Sequence, residues 1–463
     1  MRPILYTLTS SLHGEMAPDP RQEPFIRELE AAIGTEFDCR GDASFAGLAG
    51  ESPALIYIRT GGTEGLFVER IRAARLVPGA QEADSHPGPG KKDLPGANRP
   101  STHPAPGEEL VVRLLASGQS NSLAAAMEIL SWLRQRGIAG EILHGSPAAI
   151  AARIRSFSAV PGTEKAVSAP GAPENGLPGA EETLFAPGDL ILEGKRFGVI
   201  GRPSDWLISS GVDYAAAKER LGAELVDIPI EELVAEAKEI EQKKPGSPGT
   251  TLPPETDAAP LKPLTAPKCG RKIDAGDWQG ALAIYESLKV LVARYRLDGL
   301  TLRCVDLLTA LHNTGCLALA RLNAEGVTAT CEGDIPAMLS MAVARALTGK
   351  SSFQVNLSRI EGDRLLFAHC TVPLDIVRDY CYDTHFESGI GVAIHGILPE
   401  GPVTLFKLAP DCRHMFRCEA RLVANPYGDN LCRTQVVVEA PGAAAYFLQE
   451  PIGNHHIIVP GKL

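Results

Sequence analysis

No stretch of this chain approaches the ~20 consecutive apolar residues that a membrane span requires, and no G-x-G-x-x-G follows any strand-like run. The first absence predicts that nothing crosses a bilayer. The second counts against a nucleotide held on a glycine-rich turn. CxxC pairs are missing too, although there are ten cysteines. Their scatter through apolar runs excludes a small disulfide framework and predicts reduced, buried thiols in a cytoplasmic protein. A basic surplus is also absent, since 45 Lys and Arg against 56 Asp and Glu leave a formal charge of −11. That balance argues against nucleic acid or an anionic membrane as partner and favours a neutral or metal-bound substrate. The N-terminal MRPILYTLTSS is too short and too polar at its end for a signal peptide, and it reads as a first strand.

What is present is an ordinary globular composition, 44% hydrophobic over 463 residues, too long for one core and expected to divide into several domains. Three Pro/Gly-rich stretches, 86–109, 160–182 and 242–268, cannot bury enough apolar surface to offset their ordering entropy and read as flexible insertions. Between them strand and helix alternate. ALIYIRT leads into GGTEG and a helix-like LFVERIRAARL. ELVVRLLAS leads through GQSN to SLAAAMEILSWLRQRG, which Gly137 stops. KRFGVIG, ELVDIPI, DGLTLRCVD and GVTATC repeat the rhythm, with GDWQGALAIYESLKVLVARYR as a long helix and one further helix through LLTALHNTGCLALA. This is the pattern of a doubly wound parallel sheet, and it occurs twice. After Gly349 come short strands with turns, SSFQVNLSRI, RLLFAHCTV, GVAIHGIL, GPVTLFKLA, CEARLVAN, TQVVVEA and HHIIV, which predict a β-rich C-terminal domain.

Three places carry candidate chemistry. In TCEGDIPAML a strand ends at Cys331, Asp334 stands in N-cap position, and Pro336 occupies the first turn, where its missing N–H costs nothing. Capping accounts for Asp334. Glu332 has no such task and sits at the carboxyl end of a parallel strand, where ligand crevices form. Near the C-terminus, His455 and His456 must point to opposite faces of a strand, which reads either as a packed, hydrogen-bonded core histidine beside an exposed one or as one metal ligand with partners elsewhere in the chain. GGTEG and SGQSN read either as tight strand-to-helix turns or as helix N-termini open to an anion or a sugar hydroxyl.

From about residue 190 onward, GVIGRPSDWLISS, TCEGDIPAML, LLFAHCTVP, THFESG, LCRTQ and GNHHIIV together resemble the L-fucose isomerase and L-arabinose isomerase superfamily. The first 185 residues fit it loosely, through the alternating pattern and TGGTEG. The resemblance implies two Rossmann-like doubly wound α/β domains followed by a β-rich, barrel-like domain, with boundaries near 1–160, 187–349 and 350–463. It implies a metal-dependent aldose–ketose isomerase working on a pentose or 6-deoxyhexose through an ene-diol. It also implies a homo-oligomer, a trimer or hexamer, with active sites near subunit boundaries.

Residue by residue, the resemblance makes Glu332 an acidic metal ligand and acid/base, His455 or His456 the terminal histidine ligand, and His369 a further histidine at the metal. His455 is favoured because it directly follows the Gly453–Asn454 turn. Where the family carries a second carboxylate, this chain has Asn356, whose amide oxygen can bind a hard cation but cannot take a proton at neutral pH. Isomerisation needs two proton-handling groups, so the second is expected in THFESG, at Glu387 or His385. Carboxylate, amide and imidazole donors suit Mn²⁺ or Mg²⁺ better than a thiolate-seeking metal. Cys331 and Cys370 are expected to point away and serve packing. Trp206, Asp205, Arg433 and His456 are candidate substrate contacts, with Arg433 equally able to pair an internal acid. Rival readings are another metal-assisted ene-diolate reaction, such as epimerisation or aldol cleavage, and a non-catalytic sugar-binding or regulatory protein.

Overall fold

The computed structural model describes residues 2–10, 19–40, 45, 48, 54–74, 76, 110–157, 180–181, 190–243 and 273–463. The stretch 86–109 lies outside the described residues, as do all but 180–181 of 160–182 and all but 242–243 of 242–268.

The chain opens with β1 (Ile4–Leu8), α1 (Pro24–Ile33), β2 (Asp38–Arg40), β3 (Ala54–Ile58), α2 (Glu64–Ala73), β4 (Val111–Ala116), α3 (Ser122–Arg134), β5 (Ala139–Leu143) and α4 (Pro147–Ser156). The five strands form one parallel sheet in the order β2-β1-β3-β4-β5. Every residue of β1 and β3 is buried, which is why ILYTL and ALIYI are nearly continuous apolar runs rather than alternating ones. In α3 everything from Ser122 to Leu133 is buried. One face of this helix meets β4 and another meets the C-terminal barrel.

After the two-residue strand β6 (Ala180–Glu181), a second parallel sheet is built from β7 (Arg196–Ile200), α5 (Tyr214–Leu221), β8 (Glu224–Ile228), α6 (Ile230–Lys243), α7 (Ala275–Tyr295), β9 (Gly299–Leu302), α8 (Val305–Ala310), α9 (Cys316–Ala324), β10 (Thr328–Cys331) and α10 (Ile335–Thr348). Its order is β10-β9-β7-β8, all parallel. The single helix expected through LLTALHNTGCLALA is two. His312 takes φ +48, and Asn313 turns its amide onto the Asp277 carbonyl and the Thr314 N–H, so Asn-Thr-Gly behaves as a turn.

The remaining elements are β11 (Phe353–Glu361), β12 (Arg364–His369), β13 (Asp379–Asp383), β14 (Ala393–Ile397), β15 (Gly401–Leu408), β16 (Met415–Ala424), β17 (Thr434–Glu439), α11 (Ala443–Gln449) and β18 (His456–Pro460). Six of these strands close into an antiparallel barrel, β15-β18-β11-β12-β17-β16 and back to β15. The β13–β14 hairpin stands outside the ring. Closure leaves the barrel without an open edge, and β6 extends β16 at one end. The architecture is thus mixed α/β, with two parallel sheets and a closed barrel. No helix among the described residues is long and apolar enough to cross a membrane. Among the described residues eight cysteines are free thiols, but Cys381 is disulfide-bonded, so the expectation of wholly reduced cysteines does not hold.

Candidate metal centre

The site begins where β10 ends. Glu332 takes φ +66 and Gly333 φ +71, two left-handed residues in succession that turn the chain sharply out of the sheet. For a glutamate that conformation is sterically unfavourable by roughly 1–2 kcal/mol and is typical of functional positions. Only glycine fits next, because a Cβ on Gly333 would lie 2.5 Å from the Arg202 carbonyl oxygen. The turn delivers Asp334 to the head of α10, where its Oδ1 accepts from the Ala337 N–H at 2.7 Å.

Asp334 also has a second partner. Its Oδ2 lies 2.8 Å from His455 Nδ1, and both side chains are fully buried. The imidazole is thereby oriented with Nε2 toward Glu332, 3.4 Å from Oε1, yet without hydrogen-bond geometry to it. His369, the last residue of β12, presents Nε2 3.9 Å from the same Glu332 oxygen while its Nδ1 meets Thr371 Oγ1 at 2.9 Å. The other Glu332 oxygen accepts from Trp206 Nε1 at 2.6 Å. Donor atoms of Glu332, His369 and His455 all lie within 4.8 Å of one another.

Burial alone would raise the Glu332 carboxyl, but the His455 and His369 imidazoles and the Trp206 indole hold it well below the usual carboxylate range. Burial likewise opposes charge on His455, but Glu332 and Asp334 outweigh it and raise that imidazole. Burial, with His455 beside it, lowers His369 to about 4. The space between Glu332, His369 and His455 is compatible with a divalent cation, which would also engage the orphaned His455 Nε2. The outer nitrogens of both imidazoles are already held by Asp334 and Thr371, an arrangement typical of metal-ligating histidines.

The turn that presents His455 is pinned from α3, beside the first sheet. Glu128, fully buried in α3, accepts from the Asn454 N–H at 2.8 Å, the Ser209 N–H at 2.7 Å and Ser210 Oγ at 3.1 Å. Glycine is required at 453, where φ is +70 and a Cβ would lie 2.8 Å from Glu128 Oε2. Sequence reasoning missed Glu128. Its signal was a lone carboxylate inside the apolar run SLAAAMEILSWL.

Asn356 lines the same cavity, with an amide oxygen that is buried and without a hydrogen-bond partner among the described residues. Gln354, two residues away on that face of β11, accepts from the Cys331 N–H at 2.8 Å and anchors the face to the end of β10. Trp206, Glu387 and His385 also line the cavity. Glu387 accepts from Asn121 Nδ2 at 3.0 Å, and His385 Nδ1 meets Ser388 Oγ at 3.0 Å. GGTEG and SGQSN both reach the cavity, through Gly61, Gly62, Glu64 and Asn121, with the Gly61 N–H donating to the Ser120 carbonyl at 2.8 Å.

Other expected contacts lie elsewhere. Asp205 turns outward to Arg303 at 2.7 Å and Arg202 at 2.8 Å, because two guanidiniums compete for it. Arg433 is fully buried, donating to the Thr384 carbonyl at 2.8 Å and lying 3.5 Å from Asp383, so it serves an internal acid. His456 packs among Phe416, Tyr446 and Phe447. Its ring nitrogens meet Tyr446 OH and the Asn454 carbonyl, which leaves none for a metal or sugar. Cys331 and Cys370, expected to point away, line the cavity wall with Cys304, Cys316 and Cys432. Cys331 Sγ lies 2.8 Å from Cys304 Sγ.

Fold and site together describe a mixed α/β protein whose barrel meets a parallel-sheet strand end at a candidate metal centre. No family model matches the chain. It is similar to sulfoquinovose isomerase of Alkalicoccus urumqiensis, 24% identical over 219 residues, which are 46% of this chain and 47% of that protein. The chain thus spans about half the length of the curated relative it matches.

Proposed function

We propose that this protein is a divalent-metal-dependent aldose–ketose isomerase acting on a neutral sugar, a pentose or 6-deoxyhexose, through an ene-diol. The observation that carries the reading is the grouping of Glu332, His369 and the orphaned His455 Nε2 around one point. Similarity to a sugar isomerase supports the reaction class. In this reading Glu332, His369 and His455 hold the ion, with the Asn356 amide oxygen as a fourth donor, and the donor set suits Mn²⁺ or Mg²⁺. A bound ion would supply stabilisation of the oxyanion that develops as the C2 proton leaves. Glu387 takes that proton, and Trp206 holds the Glu332 carboxylate in place. The same reading includes three domains, 1–160, 187–349 and 350–463, the first two Rossmann-like, and a homo-oligomeric assembly.

The relative's name specifies a sulfonated sugar, but the cavity favours an uncharged one. Among the described residues lining it there is no Lys or Arg, while Glu64, Glu332 and Glu387 all face it. Buried acceptor oxygens of Asn121, Asn356 and Asn454 lack partners, a lining that calls for hydroxyl donors. The test is deuterium wash-out from C2 of deuterated aldopentoses and 6-deoxyaldohexoses in the presence of Mn²⁺. Wash-out with ketose formation supports isomerisation. Retained Mn²⁺ binding with no exchange from any of them would leave the sugar-binding alternative standing.

A further inference from the structure

Glu64 belongs to TGGTEG and is the first residue of α2, behind Thr63. A glutamate in a first helical turn is ordinarily solvated and favoured by the helix dipole. This one is 2% exposed, and its Oε2 is buried without a hydrogen-bond partner among the described residues. An unmet buried oxygen costs stability, and the turn that leads into α2 is itself held in place. Thr63 Oγ1 donates to the Thr60 carbonyl at 3.1 Å. Gly62 takes φ +73, where a Cβ would lie 3.1 Å from Ser10 Oγ. Glu64 lines the cavity together with Glu332, Asn356 and Glu387.

We propose that Glu64 is the second proton-handling group of the isomerisation, the acid that exchanges hydroxyl protons with the sugar oxygens. This rests on the isomerase reading above, in which Glu332 holds the ion and Glu387 handles the C2 proton, so that a group for the hydroxyl protons is still needed. In the first half-reaction Glu387 takes the C2 proton and the C2–H electron pair becomes the C1=C2 bond. The C1 carbonyl π pair receives the Glu64 proton at O1. In the second, the O2 proton passes to Glu64 as the C2=O bond forms, and the C1=C2 π pair takes the proton from Glu387 at C1. Glu64 ends protonated and Glu387 ionised, as they began. Burial, reinforced by the Glu128 and Glu332 carboxylates, raises the Glu64 carboxyl well above the usual range, consistent with a group that starts as an acid.

The test compares Glu64→Gln with the wild type for Mn²⁺ affinity by calorimetry, thermal melting, and kcat and KM on whichever neutral aldose the wild type converts. The expected result is a kcat lower by about 10²–10⁴-fold, with Mn²⁺ affinity, KM and melting temperature nearly unchanged. Wild-type kcat in Glu64→Gln overturns the role of Glu64 and leaves the isomerase reading intact. Loss of Mn²⁺ affinity together with activity also overturns it, by making Glu64 a metal ligand. If Glu64→Gln does not fold, Glu64→Asp decides, because its withdrawn carboxyl should lower kcat with Mn²⁺ affinity intact, and an unchanged kcat overturns the role. A wild type that binds Mn²⁺ but converts no neutral aldose overturns the reading beneath, and this inference with it.

Discussion

Asp334 Oδ2 and His455 Nδ1 lie 2.8 Å apart, so the residue that caps α10 also aims a candidate metal ligand contributed 121 positions later in the chain. One carboxylate oxygen serves the helix and the other serves the site. Asp334→Asn should keep the cap, since Asn and Asp are about equal there, while weakening Mn²⁺ binding by about 10–100-fold, as loss of an outer partner of a ligating histidine does. Asp334→Ala should add a loss of about 1 kcal/mol in stability. Calorimetric titration with Mn²⁺ and urea unfolding separate the two effects. Equal metal affinity in wild type and Asp334→Asn would remove the orienting role.

The two adjacent histidines should behave in opposite ways. Glu332→Gln, His369→Ala and His455→Ala should each weaken Mn²⁺ binding more than Asp334→Asn does, with smaller effects on folding. His456→Ala should leave Mn²⁺ binding nearly intact and destabilise the protein by about 2–4 kcal/mol. It empties a space among three aromatic rings and removes the acceptor of the buried Tyr446 O–H, whose oxygen keeps the Ile452 N–H. The reverse pattern in a metal titration would invert the assignment of faces on β18.

Asn356→Asp should tighten Mn²⁺ binding, because it places a carboxylate where a partnerless amide oxygen now faces the cavity. In metal-free protein the same change should lower stability, since it adds negative charge beside Glu332 without a cation to offset it. Saturating Mn²⁺ should recover that loss through linkage. Melting curves with and without Mn²⁺ check both, and equal affinity for Asn356→Asp and wild type would place Asn356 off the metal.

His144 joins the first sheet to the barrel and supplies a pH dependence. Its Nδ1–H donates to the Ala116 carbonyl at 2.9 Å, and its Nε2 accepts from the Ile360 N–H at 3.1 Å, so the ring must be neutral. Burial lowers its pKa from 6.5 to about 4. The folded value lies below the unfolded one, so the stabilisation is fully present above pH 6.5 and is lost as pH falls toward 4. Linkage sets the loss at no more than about 3 kcal/mol, and less because the ring is partly exposed. Urea unfolding of wild type and His144→Leu should show a difference that is largest near neutral pH and shrinks on acidification. A constant difference would mean that the ring titrates alike in the folded and unfolded states, so that burial does not lower its pKa.

Much of the secondary structure was legible because its signals are local. Asp334 before Ile-Pro and Gly349 after Thr348 bounded α10, and both behave as caps. Alternation in SSFQVNLSRI put Phe353, Val355 and Leu357 into the core and left Gln354 and Asn356 facing the end of β10 and the cavity. The split between α8 and α9 was missed because the apolar run on either side masks a three-residue turn. The β13–β14 hairpin was half-missed because YCYD is too short to show a period.

By itself the sequence determined most of the parallel-sheet strands, though not β2 or β5, together with the β-rich final third and the requirement that His455 and His456 face apart, since periodicity and capping depend only on neighbours in the chain. Tertiary structure alone decided which histidine meets Glu332, that Asp334 has a second partner, and that Glu64 and Glu128 are buried carboxylates. It alone placed Asp205 and Arg433 with ion-pair partners away from the cavity. Those outcomes depend on contacts between residues tens to hundreds of positions apart, such as Glu128 with Asn454. Local composition carries no information on such pairings. They are selected only when barrel closure and sheet packing bring distant polar groups into a space without water, where each must find a partner or a ligand.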